Sequence, residues 1–80
     1  MHELAITRSV VEAVAERAEG SRVTRVRLQI GKGSAVMPDA IRFCFDLCAE
    51  DTLLAGARLE IEETPGQELL ITEMEIEPCA

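Results

Sequence analysis

The chain has 80 residues, of which 15 are acidic and 8 are basic, so its formal charge is −7. That charge repels phosphate backbones, and only two residues are aromatic, so nucleic acid is excluded as an expected partner. No apolar run approaches the roughly 18 residues of a membrane span, and Glu3, Arg8 and Glu12 interrupt any signal-peptide core, so the sequence predicts a soluble, cytoplasmic protein that does not enter membranes.

The first predicted element is an amphipathic helix over residues 4–19, closed by Gly20, because apolar residues recur there at helical spacing. Its predicted inner residues are Val10, Val11, Val14, Ala15 and Ala18. The segment "RVTRVRLQIG" follows and alternates strictly between apolar and polar residues. Alternation of this kind predicts a strand with one buried face, here formed by Val26, Leu28 and Ile30.

The loop "GKGSAVMPD" leads into a second predicted helix, which begins near Pro38 and ends at about Glu50. Proline suits the first turn of a helix, and Asp39 is favoured by the positive end of the helix dipole. The glycines of this loop match neither the Walker nor the dinucleotide-binding pattern, so we interpret it as a flexible turn. The predicted inner stripe of the helix consists of Ile41, Cys44, Phe45 and Cys48.

Two further alternating segments, "ARLEIEE" and "ELLITEMEIE", predict strands that are joined by the turn "TPGQ". So short a turn predicts an antiparallel hairpin. On the last strand Leu70, Thr72, Met74 and Ile76 are expected on one face, with Leu69 and Ile71 on the other. The order helix–strand–helix–strand–strand predicts an α+β fold, with both helices packed on one face of a small three-stranded mixed sheet.

The three cysteines do not form a CxxC motif. Cys44 and Cys48 lie four residues apart on one predicted helix, where both face the same side. We interpret them as small, buried, reduced side chains; the alternative is a shared site for a soft metal, although no third ligand is evident. Cys79 is expected to be an exposed free thiol.

The single histidine, His2, has three possible explanations: an accident of sequence, a helix-start residue, or part of a metal chelate. The α-amine of Met1, the backbone amide of residue 2 and Nδ1 of its imidazole can enclose one ion in adjoining five- and six-membered rings. Planar nitrogen ligation of this kind suits Ni(II) or Cu(II). No constellation in the sequence supports catalysis, so we do not predict an enzyme.

Five stretches, in order along nearly the whole chain, resemble the HypA/HybF family of hydrogenase-maturation nickel chaperones. They are "MHEL", "VTRVRLQIG", "SAVMPDAIRFCFD", "GARLEIEETPG" and "ELLITEMEIE". The resemblance implies a carrier of Ni(II) for [NiFe]-hydrogenase, or in some organisms for urease. It implies a maturation GTPase and the hydrogenase large subunit as partners. It also places the nickel site at Met1 and His2, with Glu3 implicated.

The chain departs from the family pattern in two places. Family members carry a zinc-binding segment with two CxxC pairs between the last two strands, and here that segment is missing at about residues 64–67, so no zinc is expected. The family often has an acidic residue immediately before the proline of the loop, and here Met37 occupies that position. Asp39 is therefore a further candidate metal ligand.

Taken with the resemblance, the sequence predicts that residues 1–80 form a single nickel-binding domain that carries metal for hydrogenase maturation. The alternative is a protein-interaction or regulatory module, derived from the same fold, that no longer delivers metal. The shortened link between the last two strands favours exchange of the C-terminal strand between two chains, which would give a homodimer.

Overall fold

The computed structural model describes residues 2–78. Its elements, in chain order, are α1 (Glu3–Ala18), β1 (Val23–Gly31), a short 3-10 turn (Lys32–Ser34), α2 (Pro38–Ala49), β2 (Arg58–Thr64) and β3 (Leu69–Ile76). The helices and strands lie within one residue of their predicted bounds, and the α+β class and the element order are confirmed. Neither helix in the described part of the chain has the length and apolar character needed to cross a membrane.

The strand order in the sheet is β2–β1–β3, so β1 lies at the centre. β1 pairs in parallel with β2, with Gly31 opposite Thr64, and antiparallel with β3, with Ile30 opposite Leu69. The predicted hairpin is therefore wrong, because β2 and β3 each pair with β1 and not with each other. The physical reason is burial: the most apolar strand takes the centre of the sheet, while the glutamate-rich strands occupy the solvated edges.

The turn between β2 and β3 crosses the end of β1. The distance of two strand spacings is about 9.5 Å, which residues 65–68 span easily. The backbone N–H of Gly31 donates to the carbonyl of Glu68 (2.7 Å), and that of Gly33 donates to the carbonyl of Gly66 (2.9 Å). A Cβ at position 31 would clash with the carbonyl oxygen of Gly66, so this crossing requires glycine at position 31.

A bulge in β3 changes which of its residues face the core. The pairing of β3 with β1 skips Thr72, and an extra residue of this kind reverses the alternation beyond it. Leu69 and Met74 therefore both pack against the core, although they are an odd number of residues apart. The prediction that Met74 shares a face with Leu70 and Thr72, opposite Leu69 and Ile71, is wrong: the core side of β3 carries Leu69, Ile71 and Met74.

Both helices cover the same face of the sheet, as predicted. Val14 of α1, Ile41 and Phe45 of α2 and Leu28 of β1 are among the fully buried side chains of one continuous core. Gly20 was predicted to close α1, but the left-handed turn begins one residue earlier, at Glu19 (φ 52°).

The cysteines on α2 are less buried than predicted. The buried side chains of this helix are Ile41, Phe45 and Ala49, whereas Cys44 and Cys48 are half-buried and free. The Sγ of Cys48 lies 3.9 Å from the carbonyl oxygen of Leu4 on α1, which places this cysteine at the helix–helix contact. Cys79 lies outside the described residues.

The opposite face of the sheet carries a network of ion pairs. The guanidinium of Arg25, on the central strand, contacts Glu60 of β2 (2.8 Å) and Glu73 and Glu75 of β3 (2.9 and 3.3 Å). The carboxylates of Glu73, Glu75 and Glu60 raise the pKa of Arg25 above its usual value. One side chain thus links all three strands on the solvated face.

Candidate metal centre

His2 lies immediately before α1, and its imidazole is exposed. Its backbone carbonyl accepts the N–H of Ile6 (2.9 Å), so the backbone of His2 begins the helix. Its side chain makes no capping hydrogen bond. The helix-start explanation therefore accounts for the backbone of His2 but leaves its imidazole without a structural role in the cap.

The position of His2 at a helix start also suits the backbone amide that a chelate would use. The first N–H groups of a helix have no acceptor within the helix, and the aligned peptide dipoles give this end partial positive charge. A metal that displaces an amide proton here breaks no hydrogen bond of the helix, and the dipole stabilises the resulting negative charge. Met1, whose amine would complete the chelate, lies outside the described residues.

Glu3 joins the start of α1 to the loop that precedes α2. It occupies the first turn of α1, where the dipole favours an acid. Its carboxylate Oε2 accepts the backbone N–H of Met37 at 3.2 Å. The hydroxyl of Thr7, which is buried one turn further on, donates to the carbonyl of Glu3 (2.6 Å) and fixes the backbone there.

In the described part of the chain, the side-chain contact of Asp39 is with its own helix. It lies in the first turn of α2, where its carboxylate pairs with Arg42 at 3.3 Å. Its side chain is 98% exposed. The structure therefore joins Glu3 to the loop through Met37, whereas Asp39 lies two residues beyond that contact.

The role of Met37 is not visible in the sequence, because its side chain does not make the contact. That side chain is exposed, and the contact with Glu3 is made by the backbone N–H. Every residue except proline offers this donor, so no side-chain pattern in the sequence could have indicated it.

Within residues 2–78, no group of three or more His, Cys, Asp or Glu side chains is placed to hold a metal. A chelate based on amine, amide and imidazole nitrogens needs only one side chain. The exposed His2 at the helix start fits that requirement.

Three curated relatives, each titled "Hydrogenase maturation factor HypA", match most of the chain. The relative from Crocosphaera subtropica is 61% identical over 67 residues, which are 84% of this chain and 59% of the relative. The relative from Nostoc sp. is 59% identical over 66 residues (82% and 58%), and that from Geobacter metallireducens is 58% identical over 67 residues (84% and 61%). The chain spans about three fifths of the length of these relatives.

The fold also matches solved structures. The solution structure of the Ni metallochaperone HypA from Helicobacter pylori superimposes with a TM-score of 0.70 at 19% identity, covering 98% of this chain and 95% of that one. A likeness at such low identity establishes the fold alone. The family model that matches residues 1–76 is described as hydrogenase/urease nickel incorporation, metallochaperone, HypA. That description names a carrier and not an enzyme, in agreement with the sequence analysis, and the extent of the match shows that the chain belongs to the HypA family.

Proposed function

We propose that this chain is a carrier for Ni(II) in the maturation of [NiFe]-hydrogenase, with the metal held at its N-terminus. The observation that carries the proposal is the exposed imidazole of His2, placed at a helix start where it makes no capping bond. The ligands would be the amine of Met1 and the amide and imidazole nitrogens of His2. These leave one planar position open, through which nickel would pass to a recipient by ligand exchange.

Glu3 and Asp39 are proposed as supporting residues of this site. The Glu3 carboxylate contacts the loop through Met37, so it would orient the helix start and present negative charge toward the cation. Asp39 would supply a carboxylate from the first turn of α2 if the loop brings it closer when metal binds. By family resemblance, the proposed partners are a maturation GTPase and the hydrogenase large subunit.

The deciding experiment is a calorimetric titration of Ni(II) into the purified chain with its native N-terminus. The same titration is made with an N-acetylated chain, with His2→Ala and with Asp39→Asn. We expect one nickel per chain. The acetylated chain and His2→Ala should each lose more than about 100-fold in nickel affinity, because each lacks a direct ligand. Loss of a residue that only supports a ligand already lowers metal affinity about 10- to 100-fold. Equal binding by the native, acetylated and His2→Ala forms would refute the chelate.

The pH dependence of this titration is a second readout. The amine and the amide must both lose protons to bind metal, so the affinity of the native chain should rise steeply with pH. The acetylated chain lacks the amine and should show a shallower rise. If nickel does not bind to the native chain at any pH, the interaction-module alternative replaces the carrier proposal.

Two further expectations concern zinc and oligomeric state. We propose that the chain holds no structural zinc, which elemental analysis of protein purified without chelators tests directly.

We also propose that the short link between β2 and β3 permits exchange of β3 between two chains. Light scattering on freshly purified and on refolded protein would reveal such a dimer.

A further inference from the structure

The outward side of α2 carries an apolar surface that is not part of the core. Phe43 is 71% exposed and Leu47 is 53% exposed, and the two lie one helical turn apart. Ala40 and Cys44 are half-buried at the neighbouring positions and connect this surface to the core. We call Phe43 and Leu47, with Ala40 and Cys44, the α2 patch. Exposed apolar surface of this kind, when residues adjoin each other, marks sites of interaction.

Comparison with Phe45 shows that the core has space for an aromatic side chain, so Phe43 is not exposed for want of such space. Phe45, two residues from Phe43, is 1% exposed and fills the core. The chain thus places one of its two aromatic residues inside and turns the other to solvent. An aromatic side chain that is free of the core offers the large contact area on which binding energy concentrates.

The exposed charged residues nearest to the α2 patch are mainly acidic, with Arg42 as the exception. The charged residues three or four positions from Phe43 or Leu47 are all acidic and all exposed, namely Asp39, Asp46, Glu50 and Asp51. Arg42 adjoins Phe43 and pairs with Asp39 (3.3 Å), so the uncompensated negative charge of this rim comes from Asp46, Glu50 and Asp51. An apolar centre with an acidic rim is complementary to an apolar side chain flanked by lysine or arginine.

We propose that the α2 patch is a docking surface for a basic amphipathic segment of a partner protein. A second copy of this chain is a poor occupant, since its acidic rim would face the same rim across the interface and its net charge is also −7. The proposal goes beyond nickel carriage and stands whether or not the N-terminus binds metal, because Phe43 and Leu47 lie outside the proposed metal site and only Asp39 of the acidic rim is shared with it.

The test uses a synthetic amphipathic helix of roughly 14 residues, about four turns, with leucines on one face and lysines on the other. Its binding is measured by fluorescence anisotropy at about 0.15 M salt, and its location by amide chemical shifts of the full chain. We expect the shifts to centre on residues 39–51. We also expect Phe43→Ser combined with Leu47→Ser to weaken binding about tenfold or more, since these side chains form the centre of the surface.

Matched controls separate this surface from general attraction between opposite charges. Leu70→Ser removes an equally exposed leucine (50%) from the sheet, opposite Gln29, and should leave binding unchanged. Asp46→Lys combined with Glu50→Lys reverses the charge of these two rim positions, keeps the apolar centre and should abolish binding of the peptide. This variant tests the surface even if the serine variant folds poorly. A peptide with glutamate in place of lysine should not bind.

Three results would overturn the proposal. The first is equal binding by the wild type and by folded Phe43→Ser/Leu47→Ser. The second is a set of shifts centred on the sheet. The third is a dimer in light scattering that the serine substitutions convert to monomer, because the α2 patch would then be a contact between copies of this chain.

Discussion

Glu3 is the residue through which the start of α1 contacts the loop before α2. Its carboxylate accepts the N–H of Met37, and the carbonyl of Met37 in turn accepts the N–H of Ile41 inside α2 (3.1 Å). The orientation of Glu3 is therefore set partly by the first turn of the second helix. A change at Met37 that removes only its N–H is predicted to act on the metal site and to leave the core intact.

Met37→Pro removes this N–H together with the methionine side chain, and the φ of Met37 (−89°) lies close to the range that proline adopts. If nickel binds at the N-terminus, we expect its affinity to fall about two- to tenfold, the usual worth of one solvent-accessible hydrogen bond. Nickel calorimetry measures the effect, and thermal unfolding without metal establishes that the variant is folded.

Met37→Leu keeps the donor and serves as the control, with unchanged affinity expected. The effect of proline should also disappear in a Glu3→Ala background, which removes the acceptor, if it acts through the Glu3 side chain, since coupled residues are not additive. A proline effect of the same size with and without Glu3 would contradict this assignment.

Glu68 provides a second prediction at the scale of single residues. A hydrogen bond from the hydroxyl of Thr64, together with backbone N–H groups, lowers the pKa of Glu68. Between this lowered value and the ordinary glutamate value of about 4.3, the unfolded chain binds more protons than the folded one. The free energy of unfolding should therefore fall as the pH drops through that interval.

Thr64→Val removes the hydroxyl and returns the pKa of Glu68 toward its ordinary value. The melting temperature of this variant should lie below that of the wild type at neutral pH. The two should converge as the pH falls below the interval, because Glu68 is then protonated in both. A difference in melting temperature that is constant from neutral to acid pH would show that Thr64 acts by packing instead.

The sequence selects candidate residues for the metal site but does not indicate their contacts. His2 and Glu3 could be selected from their place in the chain and from the resemblance to nickel chaperones. The contact of Glu3 with Met37 depends on a backbone N–H in a loop 34 residues away. The identity of the residue at position 37 does not indicate such a contact. The family pattern makes Asp39 a candidate compensating acid, whereas the structure places it beside Arg42.

Among the elements, β1 organises the sheet because it is the only described strand that pairs on both sides. Periodicity correctly predicted its buried and solvated faces, since alternation reports which residues can be buried. Periodicity does not report which strand lies next to which. The turn "TPGQ" is short enough for a hairpin, yet it also spans a crossing over β1, and this ambiguity led to the wrong pairing.

The bulge at Thr72 could not be predicted from the sequence for a related reason. The segment "ELLITEMEIE" has apolar residues on both of its alternating sets, so either half fits a simple strand. The register is decided by the pairing with β1, where Leu69 and Met74 must both reach the core. Such a choice depends on tertiary contacts and is not present in the local pattern.

Arg25 carries the prediction at the scale of elements, because it bridges the three strands. Arg25→Gln keeps much of the side-chain length and removes the charge that contacts Glu60, Glu73 and Glu75. We expect the melting temperature to fall by several degrees, because three carboxylates would then repel each other across the sheet. Thermal unfolding by circular dichroism measures the change.

Arg42→Gln is the matched control, since Arg42 makes a single exposed pair with Asp39 within one helix. Pairs of that kind contribute little, so no clear change in melting temperature is expected. Added salt should reduce the difference between Arg25→Gln and the wild type, because salt screens the charges involved. A salt-independent loss would instead indicate that the alkyl stem of Arg25 matters by packing on the sheet.

At the scale of the whole molecule, the crossing between β2 and β3 is where the chain has room for more residues. The curated relatives are longer, and the chain spans about three fifths of their length. The turn lies at one end of the sheet, and two hydrogen bonds anchor it: that of Gly31, at the end of β1, with Glu68, and that of Gly33, in the 3-10 turn that follows, with Gly66. Residues inserted before Gly66 would leave both anchors in place.

Insertion of about six glycine and serine residues between Pro65 and Gly66 tests this property. Closing the longer loop costs only about 1 kcal/mol, because closure entropy grows slowly with length. We expect a cooperative thermal transition lowered by several degrees, with the amide chemical shifts of β1 and β3 retained. The same insertion between Leu28 and Gln29, inside the central strand, should unfold the domain because it breaks the pairing with both neighbours. If both insertions unfold the chain equally, the short crossing is required for the fold itself, and a longer segment at this position would need stabilising contacts of its own.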